Sequence, residues 1–206
     1  MALAKAGAFS QEPAAKPLPA GVTACAFDAL ANDPDPAGPN IRQAPTPAAP
    51  ILGALPRVDS TDAAMGKIPP VFRVIGTKDG WFLIEGAHYD KGYNIPENAP
   101  KLYAGRGWIA GNLIATGLRT ATLKQAPSDD APDVVALSGE SGGGGADPAS
   151  IVVHKFLGCS GPWFSVEILL KTDNYQLTPK LGSDAPKGMA RGWTKGSCAL
   201  LLTTCV

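Results

Sequence analysis

Charged residues are scarce in this chain. Its 206 residues include 18 Lys and Arg against 18 Asp and Glu, so the formal net charge is zero and only 17% of positions are charged. Soluble proteins usually carry about 25% charged residues. Binding to a phosphate backbone depends on clustered Lys and Arg side chains that displace counterions. The composition therefore argues against a nucleic-acid partner.

Long apolar runs are also missing. The longest, such as Ala199–Leu202, have the length of a strand and fall far short of the roughly 18–20 residues of a membrane helix. We therefore expect no membrane insertion. Residues 1–20 are rich in Ala and Pro and lack the apolar core of an intact signal peptide. Because Ala2–Ala8 resembles the small-residue tail of an export signal, we expect residues 1–20 to be a flexible remnant of one.

Helix-favouring sequence is sparse, because the chain contains 24 Gly and 20 Pro. Both residues destabilise the interior of a helix. Hydrophobic residues nevertheless make up 45% of the chain, which is enough for a core. Short apolar runs separated by Gly and Pro predict an all-β protein.

Only four cysteines are present, Cys25, Cys159, Cys198 and Cys205. None lies in a CxxC motif or at metal-ligand spacing from a histidine, so two disulfides are favoured over a zinc site. Disulfides predict an exported protein, periplasmic or extracellular, whereas four reduced buried thiols in a cytosolic protein are the alternative. Three connectivities are open. Strand adjacency favours the pairs Cys159 with Cys198 and Cys25 with Cys205.

The sequence contains an internal repeat. Residues 41–45 (IRQAP) recur 82 positions later as residues 123–127 (LKQAP). The match is ordered and includes uncommon residues, so it predicts two copies of one module, residues 21–118 and 119–206. Other aligned pairs are Gly76 and Gly158, Trp81 and Trp163, Leu83 and Ser165, Glu85 and Glu167, Arg106 and Arg191, and Trp108 and Trp193.

Each module is predicted to contain a β-hairpin. In the first module, Val71–Ile75 and Trp81–Glu85 are strand-like runs on either side of loop 76–80, as in a hairpin. The second module repeats this pattern around loop 158–162. Alternation along Trp81–Glu85 places Phe82 and Ile84 in the core and the residues between them on a partly exposed face.

The order of these motifs resembles the bacterial SH3 (SH3b) domain family. The family pattern opens with N-V-R-x-x-P-S and ends with G-W-V; the first module has Asn40–Arg42 (NIR) and Gly107–Ile109 (GWI). The second module has residues 123–128 (LKQAPS), with Lys in place of the usual Arg. The resemblance implies two small SH3-like, partly open β-barrels packed in tandem. Both modules depart from the family by a long insertion before the last Gly-Trp.

Groups suited to catalysis are few. His88 lies beside Tyr89 and Asp90, and His154 lies five positions before Cys159. An acid–base or metal pair at His88 and a Cys–His pair are chemically conceivable, but a solvated loop histidine, a strand-edge histidine and a disulfide are the favoured interpretations. The sequence has no GxSxG, HExxH or Walker motif. We therefore expect neither an enzyme nor a bound metal or cofactor.

Aromatic residues make up only 7% of the chain, yet several fall in or beside predicted loops. Such rings provide rigid contact area for sugars or peptides. The alternative is that these rings line the hydrophobic cores of the two modules. The candidate ligand-binding residues are Trp81, His88, Tyr89, Tyr93, Tyr103 and Trp108 in the first module and Trp163, Tyr175 and Trp193 in the second.

The resemblance implies a non-catalytic exported protein whose tandem SH3b-like domains bind peptidoglycan peptides of the cell wall or an envelope protein. A second hypothesis is a protein-interaction or inhibitor subunit that docks its partner through the aromatic insertion of the first module. A hydrolase is disfavoured, because the two modules leave only about twenty residues of this sequence unassigned. The oligomeric state stays open.

Overall fold

A computed structural model describes residues 16–62, 66–90, 92–120, 122–137, 151–182 and 184–199. Across these ranges the protein consists of sixteen β-strands and one 3₁₀ turn, without an α-helix. The all-β prediction is confirmed. The described residues include no helix of the length and apolarity that a bilayer crossing requires.

Nine strands precede residue 116: β1 (Thr23–Ala31), β2 (Asn40–Arg42), β3 (Ile51–Ala54), β4 (Val58–Asp59), β5 (Lys67–Ile68), β6 (Val71–Lys78), β7 (Trp81–His88), β8 (Gly107–Ala110) and β9 (Ile114–Ala115). Seven of them form an antiparallel sheet in the order β3-β2-β8-β7-β6-β1-β9, and β4 and β5 form a separate pair. The 3₁₀ turn at Gly111–Leu113 joins β8 to β9.

Seven strands follow: β10 (Gly117–Leu118), β11 (Thr122–Lys124), β12 (Asp133–Ala136), β13 (Val153–Ser160), β14 (Trp163–Leu169), β15 (Met189–Lys195) and β16 (Ser197–Cys198). Five of them form an antiparallel sheet in the order β12-β11-β15-β14-β13, and β10 pairs with β16. Strand β10 thus pairs with the last described strand and not with the seven-stranded sheet.

The two large sheets have the same topology. The order β3-β2-β8-β7-β6 in the first corresponds strand by strand to β12-β11-β15-β14-β13 in the second. The first sheet is extended by β1 and β9 at the β6 edge. The sequence repeat is therefore also a repeat of strand order, with two added strands on the first copy.

The β6–β7 hairpin is tighter than expected. Strand β6 continues through Lys78, so the predicted five-residue loop reduces to Asp79 and Gly80. Both turn residues have positive φ, 52° and 76°, as a two-residue type I′ turn with Asp-Gly requires. Phe82 and Ile84 are fully buried, as predicted, but Leu83, which was expected on a partly exposed face, is also buried.

One hydrophobic core lies between the two sheets. The ring of Phe27 in β1 stacks on that of Phe156 with centroids 5.8 Å apart, lies 4.7 Å from Phe164 and meets Phe82 edge-on at 6.4 Å. These rings come from both modules and belong to a single buried cluster. Among the described strands, neither large sheet closes on itself into a barrel.

Strand β1 fastens the two modules together. A disulfide joins Cys25 in β1 to Cys159 in β13, with their Cα atoms 5.6 Å apart. Beside it, the Ala26 amide donates to the Gly161 carbonyl at 2.8 Å, and the Gly161 amide donates to the Ala24 carbonyl at 2.9 Å. The second module is thereby tied to a strand that belongs to the sheet of the first.

The expected pairings of Cys159 with Cys198 and of Cys25 with Cys205 are both wrong. Strand β1 lies between β6 and the edge of β13, so Cys25 faces Cys159 instead. Cys198 is also disulfide-bonded, and Cys205 lies outside the described residues. The disulfides indicate an oxidising compartment.

Candidate functional site

Two tyrosines of the first insertion form a small second core. Tyr93 is buried and Tyr89 half-buried, and both pack with Val58 and Ile68 of the β4–β5 pair. The Tyr89 hydroxyl donates to the Pro56 carbonyl at 2.8 Å. Burial raises the pKa of the Tyr89 phenol. These two rings pack the insertion against the β4–β5 pair. Their role in ligand binding stays a prediction.

The other two tyrosines are also held by hydrogen bonds. The Tyr103 hydroxyl donates to the Arg106 carbonyl at 3.0 Å. Tyr175 is buried in the main core, where its hydroxyl donates to the Leu169 carbonyl at 3.2 Å and accepts from the Val152 amide at 2.9 Å. The structure thus gives both side chains a packing role.

His88 lies on a cleft of about 740 Å³ that is lined mainly by the first module, with Ser197 and Ala199 contributed by the second. The imidazole is exposed, with Nδ1 2.9 Å from the Gly86 carbonyl oxygen. Asp90 lines the same cleft, and Asp28 there pairs with Arg73 at 3.7 Å. Within the described part of the chain, no group of three His, Cys, Asp or Glu side chains converges as a metal site would need.

The two groups of the conceivable Cys–His pair have other partners. The His154 side chain is 53% exposed, and its Nε2 lies 3.9 Å from the Glu167 carboxylate. Cys159 is in the disulfide with Cys25. A disulfide sulfur has no thiolate to act as a nucleophile, so this pair does not provide one.

The four tryptophans differ in exposure. Trp108 is 5% exposed, whereas its partner in the repeat, Trp193, is half-buried, as are Trp81 and Trp163. The Lys195 ammonium lies 5.1 Å from the centroid of the Trp163 ring, at a distance suited to a cation–π contact. Trp193 lies in a groove.

This groove, which we call the Trp193 groove, crosses the second-module sheet on the face opposite the core. Two cavities of about 370 and 410 Å³ meet there, sharing Leu157 and Trp193. Its floor is a row of directly paired residues, Gly158 in β13, Ser165 in β14 and Trp193 in β15. The cavity volumes are in the range of ligand sites in proteins. The row offers an aromatic ring beside two small residues.

A held guanidinium lies at one end of the Trp193 groove. Nε of Arg191 donates to Glu167 Oε2 at 2.8 Å, and the Glu167 carboxylate, which is 6% exposed, raises the pKa of Arg191. The Arg191 Nη1 atom lies 3.5 Å from the exposed carboxylate of Asp184. Lys78 and Asp79, at the tip of the β6–β7 hairpin, line the other end. These two cations and two lining anions leave the walls without net charge, which suits a neutral ligand.

Of the residues that form this groove, the sequence prediction included only Trp193. The repeat showed a Glu and an Arg in both modules, at Glu167 and Arg191 in the second, but not that they form an ion pair. It also showed Ser165 where the first module has Leu83. That replacement was the available signal that the second sheet has space beside its tryptophan.

No protein-family model matches the chain, and no curated protein or solved structure shows significant similarity to it. The resemblance to SH3b domains thus rests on the motifs within this sequence. The repeat, the disulfide and the groove are therefore the features of this protein that point to its function.

Proposed function

We propose that this chain is a non-catalytic, exported binding protein of the cell envelope, and that the Trp193 groove holds its ligand. The groove itself is the observation that carries the proposal. It combines an aromatic floor, a glycine without a side chain to cover the backbone, and a guanidinium held in place by a buried carboxylate. Such a surface suits a ligand with apolar groups and hydrogen-bond acceptors.

The SH3b-like character of the modules is part of this proposal. In each module the strand of the opening motif pairs with the Gly-Trp strand, Arg42 opposite Trp108 and Lys124 opposite Trp193. This shared pairing supports two partly open, SH3-like units that contribute to one core. The disulfide between Cys25 and Cys159 supports an extracytoplasmic site, periplasmic or extracellular.

Peptidoglycan stem peptides and segments of envelope proteins are the ligands that fit this description. Both present backbone carbonyls that a guanidinium can hold, and both carry side chains small enough for the groove. The rival idea, docking through the tyrosines of the first insertion, has less support, because the hydroxyls of Tyr89 and Tyr103 already donate to backbone carbonyls.

Co-sedimentation with purified sacculi tests the cell-wall form of the proposal. The variant Gly158→Leu fills the groove, and an added Cβ there meets no atom within 4 Å, so the variant is expected to fold. Lys155→Leu adds the same side chain to an exposed position of the same strand and is the matched control. We expect the wild type and the control to pellet and Gly158→Leu to stay in the supernatant. Wild-type protein found wholly in the supernatant would contradict the cell-wall form.

A further inference from the structure

Residues 16–22 (KPLPAGV), which we call the strap, lie against the first-module sheet on the face opposite the core. Nη1 of Arg106 donates to the Lys16 carbonyl at 2.7 Å and to the Pro17 carbonyl at 3.3 Å. Nε of the same guanidinium donates to Glu85 Oε2 at 2.7 Å. The carboxylate therefore orients the guanidinium, and its outer nitrogen binds two consecutive carbonyls of the strap.

The strap then reaches β6. A Cβ added to Gly76 would lie 2.5 Å from Val22 Cγ1 and 3.6 Å from Leu18 Cδ2, so both side chains lie directly over this glycine. Because the guanidinium precedes β8 and the glycine is in β6, the strap crosses β7 between them. The row of paired residues below it continues from Gly76 to Leu83 and Trp108, which are both buried.

The second module has the same arrangement of a glycine, a row of paired residues and a guanidinium. Among the described residues, no segment equivalent to the strap covers it. Gly158 aligns with Gly76, and a Cβ added there meets no atom within 4 Å. Ser165 and Trp193, which complete the row, are half-buried. Arg191 is held by its glutamate as Arg106 is, but its Nη1 atom faces an exposed carboxylate instead of backbone carbonyls. The same geometry that binds a peptide segment in one module is uncovered in the other, as far as the described ranges of the chain go.

We propose, on the basis of the binding function above, that the Trp193 groove binds an extended segment of another polypeptide with the chemistry of the strap. The segment would place an apolar side chain flanked by prolines over Gly158 and Ser165. Two consecutive backbone carbonyls would accept hydrogen bonds from Arg191. Proline suits such a ligand because it restricts the free peptide and so reduces the entropy lost on binding.

Two features of the groove support this occupant. The groove is continuous with the strap's own interface, since Gly21 and Thr23 line the same cavity as Gly158. The lining charges cancel, so binding is expected to depend on the apolar side chain and the backbone carbonyls of the segment rather than on its charge. The chain's own strap is fastened to Arg106, and among the described residues no segment of this chain lies over Gly158.

Titration of the full-length chain with a fluorescent KPLPAGV peptide tests this inference. We expect saturable binding with a dissociation constant below about 1 mM, weakened about tenfold or more when Leu in the peptide is replaced by Ser. Gly158→Leu is expected to abolish binding, and Lys155→Leu to leave it unchanged. Arg191→Lys keeps the charge but loses the planar fork of donors, and we expect it to weaken binding several-fold.

Amide chemical-shift changes in the same titration locate the peptide. The inference predicts shifts at Gly158, Ser165 and the Trp193 indole. Shifts centred on Gly76 and Trp108 would mean exchange with the strap and would overturn it. A complete lack of peptide binding by a protein that still pellets with sacculi would overturn the peptide inference alone. Loss of sacculus binding with retained peptide binding would overturn only the cell-wall form of the proposed function.

Discussion

Among single residues, the aligned glycines Gly76 and Gly158 separate the two modules most clearly. They lie in equivalent strands, β6 and β13, and have no strained backbone angle, so each tolerates a side chain as far as φ is concerned. The difference is what lies above them. Val22 and Leu18 cover the first, whereas no atom of the residues that the structure describes lies within 4 Å of a Cβ added to the second.

Substitution of these glycines by alanine is expected to give unequal effects. Gly76→Ala forces the new Cβ against Val22 Cγ1 at 2.5 Å, and overpacking of this kind costs about 1–3 kcal/mol. Gly158→Ala meets no atom and restricts the unfolded chain, so we expect no loss of stability and a gain of up to about 1 kcal/mol. Urea unfolding of the two variants and the wild type measures both values. Equal destabilisation by the two substitutions would mean that the strap does not cover Gly76.

Strands that pair with a neighbour in sequence could be predicted, but the position of β1 could not. The β6–β7 hairpin follows from alternation and from Asp79-Gly80, because both signals act between neighbours in sequence. Strand β1 also alternates, burying Cys25, Phe27 and Ala29. Its position depends on pairing with β6 and on contact with β13, more than a hundred residues away. Such non-local pairing leaves no signal in a single sequence.

The β4–β5 pair and the first insertion form an element with its own pH response. The Tyr89 phenol is partly buried and donates to Pro56, and burial raises its pKa above 10.0. A raised pKa means that the stabilising contribution is complete below pH 10.0 and is lost as the pH rises through the folded-state value. We expect spectrophotometric titration at alkaline pH to show a late-ionising tyrosine that disappears in Tyr89→Phe. An unchanged titration curve in that variant would contradict the packing described for the insertion.

For the molecule as a whole, the repeat was visible in the sequence but its assembly was not. The motifs predicted two similar units, each with its own barrel and core. Phe27, Phe82 and Phe164 instead meet in one core, because the face that each short sheet would leave exposed is covered by the other. Apart from Ser165 in place of Leu83, the sequence contains no signal for the groove, for a related reason. It depends on which sheet the strap covers, and the motifs are nearly the same in both.

The disulfide between Cys25 and Cys159 ties this assembly. It closes a loop of 134 residues, for which chain entropy gives a stabilisation of about 5 kcal/mol as an upper value. We expect the double variant Cys25→Ala, Cys159→Ala to lose about 2–5 kcal/mol of unfolding free energy. The shared core predicts that unfolding stays a single transition. Calorimetry that shows two separate transitions in the wild type would mean that the modules fold independently.

The aligned tryptophans Trp108 and Trp193 allow a decisive comparison within one molecule. Hydroxyl-radical footprinting of the native chain measures how fast each indole is oxidised. Trp193, on the open face, is expected to react several-fold faster than Trp108, which is 5% exposed, and added KPLPAGV peptide is expected to slow Trp193 toward the rate of Trp108. Equal rates for the two indoles, with no protection by the peptide, would contradict an open binding face on the second module.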